Sequence, residues 1–174
     1  MLALCLCVSA KETCPKVIPA LQEWKGGSGK LVLPAEGSIV VAPADEAALK
    51  SVATVLAQDL KDLLDWNYTI RYVLTAGRYA GIEAPARQGA FWGTRSLLQI
   101  LYNEKGQLPK GVARDWPQYP SRGFMLDVGR KFFTMDFLRQ YVKILSFYKL
   151  NEFQIHLNDN GFVQFFDNDW NKTY

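Results

Sequence analysis

The chain has 174 residues, enough for one ordinary domain or for one small domain and part of another. Hydrophobic residues make up 49% and charged residues 21% of the chain, so it can bury a core and is not a disordered tail. The net charge is +3, with no run of like charges and no apolar stretch long enough to cross a membrane, which argues against nucleic acid as a partner and against a membrane span.

The first ten residues, MLALCLCVSA, are apolar and end in small residues that signal peptidase accepts. We predict that residues 1–10 are a signal-peptide-like segment and that the protein is exported to the periplasm, the cell surface or the medium. A frayed apolar N-terminus is the alternative, and a lipoprotein signal fits less well because Leu4 and Thr13 precede Cys5 and Cys14. All the cysteines lie within residues 1–14, so the rest of the chain has no disulfide framework and no cysteine-ligated zinc site.

Strand and helix patterns over residues 11–118 predict a small α+β domain. Short runs with strand character occur at residues 30–33, 38–42, 68–74 and 79–84. The spacing of apolar residues predicts helices over residues 44–65 and 89–102. The expected core positions are Leu49, Val52, Leu56, Leu60 and Leu63 in the first helix and Phe91, Leu97, Leu98 and Leu101 in the second.

A linker rich in proline and aromatic residues, residues 115–120, leads into a second domain, residues 119–174. Residues 123–128 form a short apolar run without alternation, which is typical of a strand buried on both faces. Thr134 is placed to cap a helix, and residues 153–157 form the next strand. The expected core positions of this helix are Leu138, Tyr141, Val142, Leu145 and Tyr148.

The strand–helix–strand order has a consequence for the position of two polar residues. A right-handed crossover makes the two strands parallel. Parallel α/β folds hold their chemistry where the strands end, so Arg130 and Asp159 fall on the functional side of this unit.

Two segments of the second domain carry a family resemblance. Residues 122–133, RGFMLDVGRKFF, and residues 148–160, YKLNEFQIHLNDN, closely resemble the start of the catalytic barrel of the family 20 glycoside hydrolases, the β-N-acetylhexosaminidases. Residues 89–101, GAFWGTRSLLQIL, resemble the last helix of the small domain that precedes that barrel. The resemblance implies an α/β protein: a small α+β N-terminal domain with a sheet and two helices, followed by the first βαβ portion of a TIM (β/α)8 barrel that is truncated here.

The sequence departs from the family pattern in several places. Residues 68–84 look compressed, Lys131 stands where many members have His, and Asn160 stands where many have a second Asp. In the family, the catalytic Asp-Glu pair and the tryptophans of the sugar pocket come from later strands. We therefore expect no catalytic residue within this chain and place that pair beyond Tyr174.

The resemblance assigns roles to three residues. Arg130 would donate hydrogen bonds to the ring hydroxyls of the terminal sugar, a task that suits the planar, always charged guanidinium. The alternative is an arginine paired with Asp127 for structure alone, and Asp127 is in either case its expected partner. Asp159 would belong to a relay of Asp and His that tunes the catalytic Glu by like-charge repulsion, whereas a turn residue is the alternative.

His156 is the only histidine, which excludes Ser-His-Asp, Cys-His and multi-histidine metal sites within this chain. We interpret it as a hydrogen-bonded core histidine in a supporting role rather than a catalytic group. Asp45 and Glu46 form the only Asp-Glu dipeptide, but they open a predicted helix, where the helix dipole favours negative charge.

The resemblance also implies a mechanism and a substrate. Family members cleave terminal GlcNAc or GalNAc from glycans by substrate-assisted retaining hydrolysis, in which the 2-acetamido oxygen of the sugar is the nucleophile and no cofactor is required. The expected partner is therefore an N-acetylhexosamine-terminated glycan, and exposed barrel strand edges would favour self-association. The alternative is a non-catalytic remnant that binds carbohydrate or serves as a scaffold.

Overall fold

The structure is a computed structural model that describes residues 13–72 and 80–157. It divides the chain into two compact units, Met1–Trp116 and Pro117–Tyr174. Three α-helices and six strands lie within the described residues. None of these helices combines the length and apolar character needed to cross a membrane.

The first unit contains two helices and two pairs of strands. Strands β1 (Glu23–Val32) and β4 (Gln107–Arg114) are antiparallel, and strands β2 (Glu36–Val41) and β3 (Asn67–Tyr72) are parallel. Helix α1 (Glu46–Leu64) connects β2 with β3, and helix α2 (Arg87–Asn103) precedes β4. The sequence patterns therefore predicted both helices of this unit and its mixed α+β character, but not its full set of strands.

The strand predictions for this unit were wrong at three places. Residues 80–84 form no strand, and Tyr79 and the last two residues of the predicted strand 68–74 lie outside the described residues. Strand β4 was not predicted, and β1 begins at Glu23 rather than at Lys30. The two missed stretches belong to one ribbon, in which Gly111 lies so close to the Trp24 ring that a side chain there would collide with it. Glycine in both strands hides the apolar alternation that usually indicates a strand.

Helix α1 begins and ends as its sequence indicates. Asp45 precedes the helix and Glu46 lies in its first turn, so the acidic dipeptide is placed where the helix dipole favours it. At the other end Asp65 adopts a left-handed conformation with φ 56°, and Trp66 N–H donates to the Leu60 carbonyl at 3.2 Å. This left-handed end turns the chain directly into β3.

The buried face of α2 is more polar than predicted. Leu98 and Leu101 are buried as expected, but Phe91 and Leu97 are only half-buried. Arg95, by contrast, is 3% exposed. Its Nη1 lies 2.6 Å from Asp59 Oδ2 on α1, and its guanidinium carbon lies 4.6 Å from the centroid of the Phe91 ring. The charge is therefore buried with a partner, as a buried guanidinium must be.

A second polar residue of α2 holds the N-terminal segment. Gln99 is buried, accepts a hydrogen bond from Ile18 N–H at 2.7 Å and donates one to the Ile18 carbonyl at 2.8 Å. One turn later, Asn103 donates to the Lys16 carbonyl at 2.7 Å, and Val17 between these contacts is buried. The segment before β1 is therefore part of the first unit.

The second unit is a strand–helix–strand motif, as predicted. Strand β5 (Gly123–Asp127) and strand β6 (Glu152–His156) are parallel neighbours, and helix α3 (Met135–Phe147) lies between them in sequence. The Tyr141 ring of α3 contacts Phe124 of β5 and Phe153 of β6, with ring centroids 5.5 and 5.6 Å apart. Side chains alternate along a strand, so Asp127 and His156 belong to the opposite face of this sheet.

The expectation that β5 is buried on both faces was wrong for the described residues. Phe124 and Met125 are 43% and 52% exposed. Within the described part of the chain β5 pairs only with β6, and α3 contacts one face of that pair. In α3 Leu138 and Leu145 are buried as predicted, whereas Val142 in the helix and Tyr148 just after it are exposed.

Thr134 caps α3, as its position before the apolar run indicates. Its Oγ1 accepts a hydrogen bond from Phe137 N–H at 3.2 Å. We expect Thr134→Ala to destabilise the first turn of α3 by about 1 kcal/mol and to speed amide exchange at Phe137, whereas Thr134→Asp keeps an acceptor and the protection. Thr54→Ala is the control, since that hydroxyl bonds a carbonyl within α1. Equal loss of protection at α3 in the control would contradict the capping role.

Candidate functional site

The candidate site lies at the carboxyl ends of β5 and β6. Asp127 ends β5 and His156 ends β6, and the two residues are register partners in the parallel pair. Parallel strands bring their carboxyl ends to one edge of the sheet, where the following loops hold the functional side chains. The loop after β5 carries Arg130, the predicted sugar-binding residue.

Backbone hydrogen bonds fix this loop to the neighbouring strand. The amides of Val128 and Gly129 both donate to the carbonyl of His156, at 3.0 and 3.2 Å. Asp127 Oδ1 accepts from the amides of Gly129 and Arg130, at 3.1 and 3.2 Å. Two acceptors thus satisfy three consecutive amides, so the backbone at Arg130 is held in one conformation relative to both strands.

The side chain of Arg130 pairs with the carboxylate that holds its own backbone. Arg130 Nε lies 3.2 Å from Asp127 Oδ2, and the two side chains are 67% and 26% exposed. The Asp127 carboxylate is therefore mostly buried, whereas the Arg130 side chain extends into solvent. A guanidinium anchored at one edge and accessible from outside can donate to hydroxyl or carboxylate groups of a ligand.

The structure describes only some of the other predicted site residues. Asp159 and Asn160 lie outside the described residues, so the proposed relay remains a prediction. His156 is half-buried at the end of β6, and its carbonyl fixes the β5 loop. Asp45 and Glu46 lie in the first unit at the start of α1. Among residues 13–72 and 80–157, no three His, Cys, Asp or Glu side chains gather as they would around a metal ion.

Two residues of the family-like motif have a role that sequence reasoning did not give them. Arg122 donates from Nε to the Lys149 carbonyl and from Nη1 to the Tyr119 carbonyl, both at 2.8 Å. Asn151 accepts from the Arg122 amide and donates to the Pro120 carbonyl, also at 2.8 Å. These bonds tie the start of β5 to the start of β6, so they set the register of the strands that carry the site. Only the spacing of the motif indicated that both residues matter.

The first unit contains an apolar cleft of about 520 Å³ lined by β2, α1, α2 and residues 80–83. Its walls are mainly aliphatic, including Ile39, Leu56 and Leu101. The Tyr68 hydroxyl donates to the Pro34 carbonyl at 2.7 Å, and burial raises the pKa of this phenol. No charged pair converges on the cleft among these residues, so the end of β5 remains the candidate site.

Comparison with known proteins gives the same family for both units. Residues 119–165 match the family model described as "Glycosyl hydrolase family 20, catalytic domain", and residues 69–116 match "Glycosyl hydrolase family 20, domain 2". In these matches a segment similar to domain 2 of the family precedes a segment similar to its catalytic domain. The chain belongs to glycosyl hydrolase family 20, which confirms the resemblance carried by residues 122–133 and 148–160.

Similar curated proteins are hexosaminidases. A beta-hexosaminidase of Porphyromonas gingivalis is 31% identical over 164 residues, which cover 89% of this chain and 20% of that protein. A beta-hexosaminidase of Akkermansia muciniphila is 36% identical over 84 residues, or 47% of this chain and 17% of that protein. The chain spans about a fifth of the length of these relatives.

Solved structures have the same fold. A mutant Streptomyces plicatus beta-hexosaminidase in complex with product (GlcNAc) matches with a TM-score of 0.67 and 25% identity, over 86% of this chain and 36% of that one. The GH20 beta-N-acetylhexosaminidase of Streptomyces coelicolor matches with a TM-score of 0.63 and 22% identity, again over 86% of this chain and 36% of that one. The α/β fold of this chain is therefore that of the family 20 hexosaminidases.

Proposed function

We propose that the protein is an exported β-N-acetylhexosaminidase that removes terminal GlcNAc or GalNAc from glycans. The observation that carries this proposal is Arg130, held by Asp127 and by the β6 carbonyl at the carboxyl end of β5, within a segment that matches the family 20 catalytic domain. The relatives with similar sequences are beta-hexosaminidases. Arg130 serves to bind ring hydroxyls of the terminal sugar.

The second unit is, on this proposal, the first strand–helix–strand portion of a (β/α)8 barrel. Helical geometry places Met135 and Val142 on one side of the buried Leu138 and places Phe137 and Ile144 on the other. All four flanking residues are exposed in the described structure. A helix that packs only on its own two strands needs no apolar flanks, whereas a barrel helix has a neighbouring helix on each side.

The proposed reaction is substrate-assisted. The acetamido oxygen attacks the anomeric carbon, so the enzyme has to hold the sugar, support that oxygen and protonate the leaving group. Arg130 belongs to the first of these tasks. Asp159 supports the acid through the proposed relay, and the Asp-Glu pair that supplies orientation and acid lies in later strands of the barrel.

The test is hydrolysis by the full-length gene product. We expect it to cleave 4-nitrophenyl β-N-acetylglucosaminide or the corresponding galactosaminide and to leave 4-nitrophenyl β-glucoside intact, because the glucoside lacks the acetamido nucleophile. Retention at the anomeric carbon, followed by NMR, checks the mechanism. Sugar binding without turnover would favour the non-catalytic alternative, and equal cleavage of the glucoside would contradict substrate assistance.

We expect the 174-residue chain alone to give no measurable hydrolysis of the aryl β-N-acetylglucosaminide. General acid catalysis contributes about 10²–10⁴-fold, and the proposed acid is not among these residues. The measurement is release of 4-nitrophenol by the purified chain, compared with a mock purification from the same host to exclude contaminating hexosaminidase. Turnover above that background would place the catalytic carboxylates within residues 1–174.

A further inference from the structure

The two carboxylate oxygens of Asp127 make different contacts. Oδ1 accepts from the amides of Gly129 and Arg130, and Oδ2 lies 3.2 Å from Arg130 Nε. One oxygen therefore shapes the loop, and the other holds the guanidinium at its inner nitrogen. The contacts differ in kind as well, since the first are bonds to neutral amides and the second is an ion pair.

Burial makes Asp127 the fixed member of this pair. Its side chain is 26% exposed and is tied to the backbone, whereas the Arg130 side chain is 67% exposed. An arginine side chain has several rotatable bonds and loses rotamer entropy when it is ordered. An anchor at Nε orders the guanidinium plane before a ligand arrives, so less of that entropy is lost on binding.

The next residue along the chain, Lys131, has no described contact with the Asp127 carboxylate. Lys131 Nζ lies 5.8 Å from the centroid of the Phe133 ring, so the ammonium is placed over an aromatic face. A second arginine–aspartate pair of the same sequence spacing, Arg139 with Asp136, lies on the exposed surface of α3. It has no backbone anchor among its described contacts and serves as a natural comparison.

We propose that Asp127 is a positioning residue that orients the Arg130 guanidinium toward the sugar hydroxyls, separately from its role in the loop backbone. This inference rests on the proposed function, because it needs a sugar bound at Arg130. The described contacts of the Asp127 carboxylate are all with the loop after β5 and with Arg130. On this proposal Asp127 acts on the substrate through Arg130.

The experiment uses the full-length enzyme and the substitution Asp127→Asn. Asparagine keeps the Oδ1 acceptor for the two amides but places an NH2 group against Arg130 Nε, so the loop is retained and the guanidinium loses its anchor. We expect KM for 4-nitrophenyl β-N-acetylglucosaminide to rise about tenfold, the size of one weakened charge-assisted hydrogen bond, with kcat nearly unchanged. The melting temperature should stay close to that of the wild type.

A double-mutant cycle separates positioning from structure. In an Arg130→Ala background, Asp127→Asn should cost no further activity, because the group that it positions is gone. Asp136→Asn, the matched control, should change neither KM nor the melting temperature. Additive losses, an unchanged KM in Asp127→Asn, or a large fall in its melting temperature would each overturn the positioning role.

The same experiment distinguishes this inference from the proposed function. A wild-type enzyme that neither cleaves nor binds the N-acetylhexosaminide refutes the function, and the positioning role with it. An active wild type whose Asp127→Asn variant behaves identically refutes the positioning role alone.

Discussion

Arg130→Ala in the full-length enzyme is expected to lower kcat/KM for an aryl β-N-acetylglucosaminide by about 100-fold. Hydrogen bonds from a charged group contribute about 1.5–3 kcal/mol each, and the loss of two corresponds to at least about two orders of magnitude. The loss should be large only where the rest of the pocket excludes water, because a solvent-exposed guanidinium adds little net binding energy. In the isolated 174-residue chain the same change should therefore have little effect on sugar binding.

Two further variants sharpen this prediction. Arg130→Lys retains the charge but not the planar fork, so its activity should lie between those of the wild type and the alanine variant. Arg139→Ala removes an arginine with the same 67% exposure from the surface of α3 and should leave kcat/KM unchanged. Wild-type kinetics in the Arg130→Ala variant would contradict a sugar-binding role and favour the alternative, in which Arg130 pairs with Asp127 for structure alone.

Asp59→Ala is expected to lower the free energy of unfolding of the first unit by about 3–5 kcal/mol. The change would leave the Arg95 guanidinium, which is 3% exposed, without the carboxylate that lies 2.6 Å from it. Four of the tryptophans, Trp24, Trp66, Trp92 and Trp116, belong to this unit, so urea unfolding followed by tryptophan fluorescence reports on it.

The controls for this prediction come from the same unit. Glu23→Ala breaks an ion pair with Arg114 whose side chains are both exposed, and it should cost less than about 1 kcal/mol. The double variant Asp59→Ala with Arg95→Met should recover much of the lost stability, because an apolar side chain needs no charged partner. Equal destabilisation by Asp59→Ala and Glu23→Ala would mean that the buried pair has no special weight.

Local patterns predicted the helices and the parallel motif because these elements depend on neighbours in sequence. Thr134 caps α3 through an amide three residues away, and the apolar spacing of α1 lies within one element. The buried role of Arg95 depends on Asp59, 36 positions earlier, and that of Gln99 depends on Ile18, 81 positions earlier. An apolar periodicity contains no information about such distant polar partners.

Only part of the candidate site could be predicted from the sequence. The strand end and the arginine after it could be read from the order of elements and from the family-like motif. The use of the His156 carbonyl as an acceptor for the β5 loop could not, because a backbone group carries no residue-specific signal. The pairing of Arg130 with Asp127 was expected, whereas the separate contacts of the two Asp127 oxygens depend on the path of the loop after β5, which the sequence pattern does not give.

The pairing of Gln99 with Ile18 limits how the N-terminus can be processed. The amide side chain engages both the N–H and the carbonyl of one peptide residue, so the segment docks in a single register beneath α2. A peptidase that cuts upstream of Cys14 leaves this docking intact. A cut beyond Ile18 would remove both hydrogen-bond partners of the buried Gln99 side chain and expose the site that Val17 fills, so we expect such a cut to destabilise the first unit.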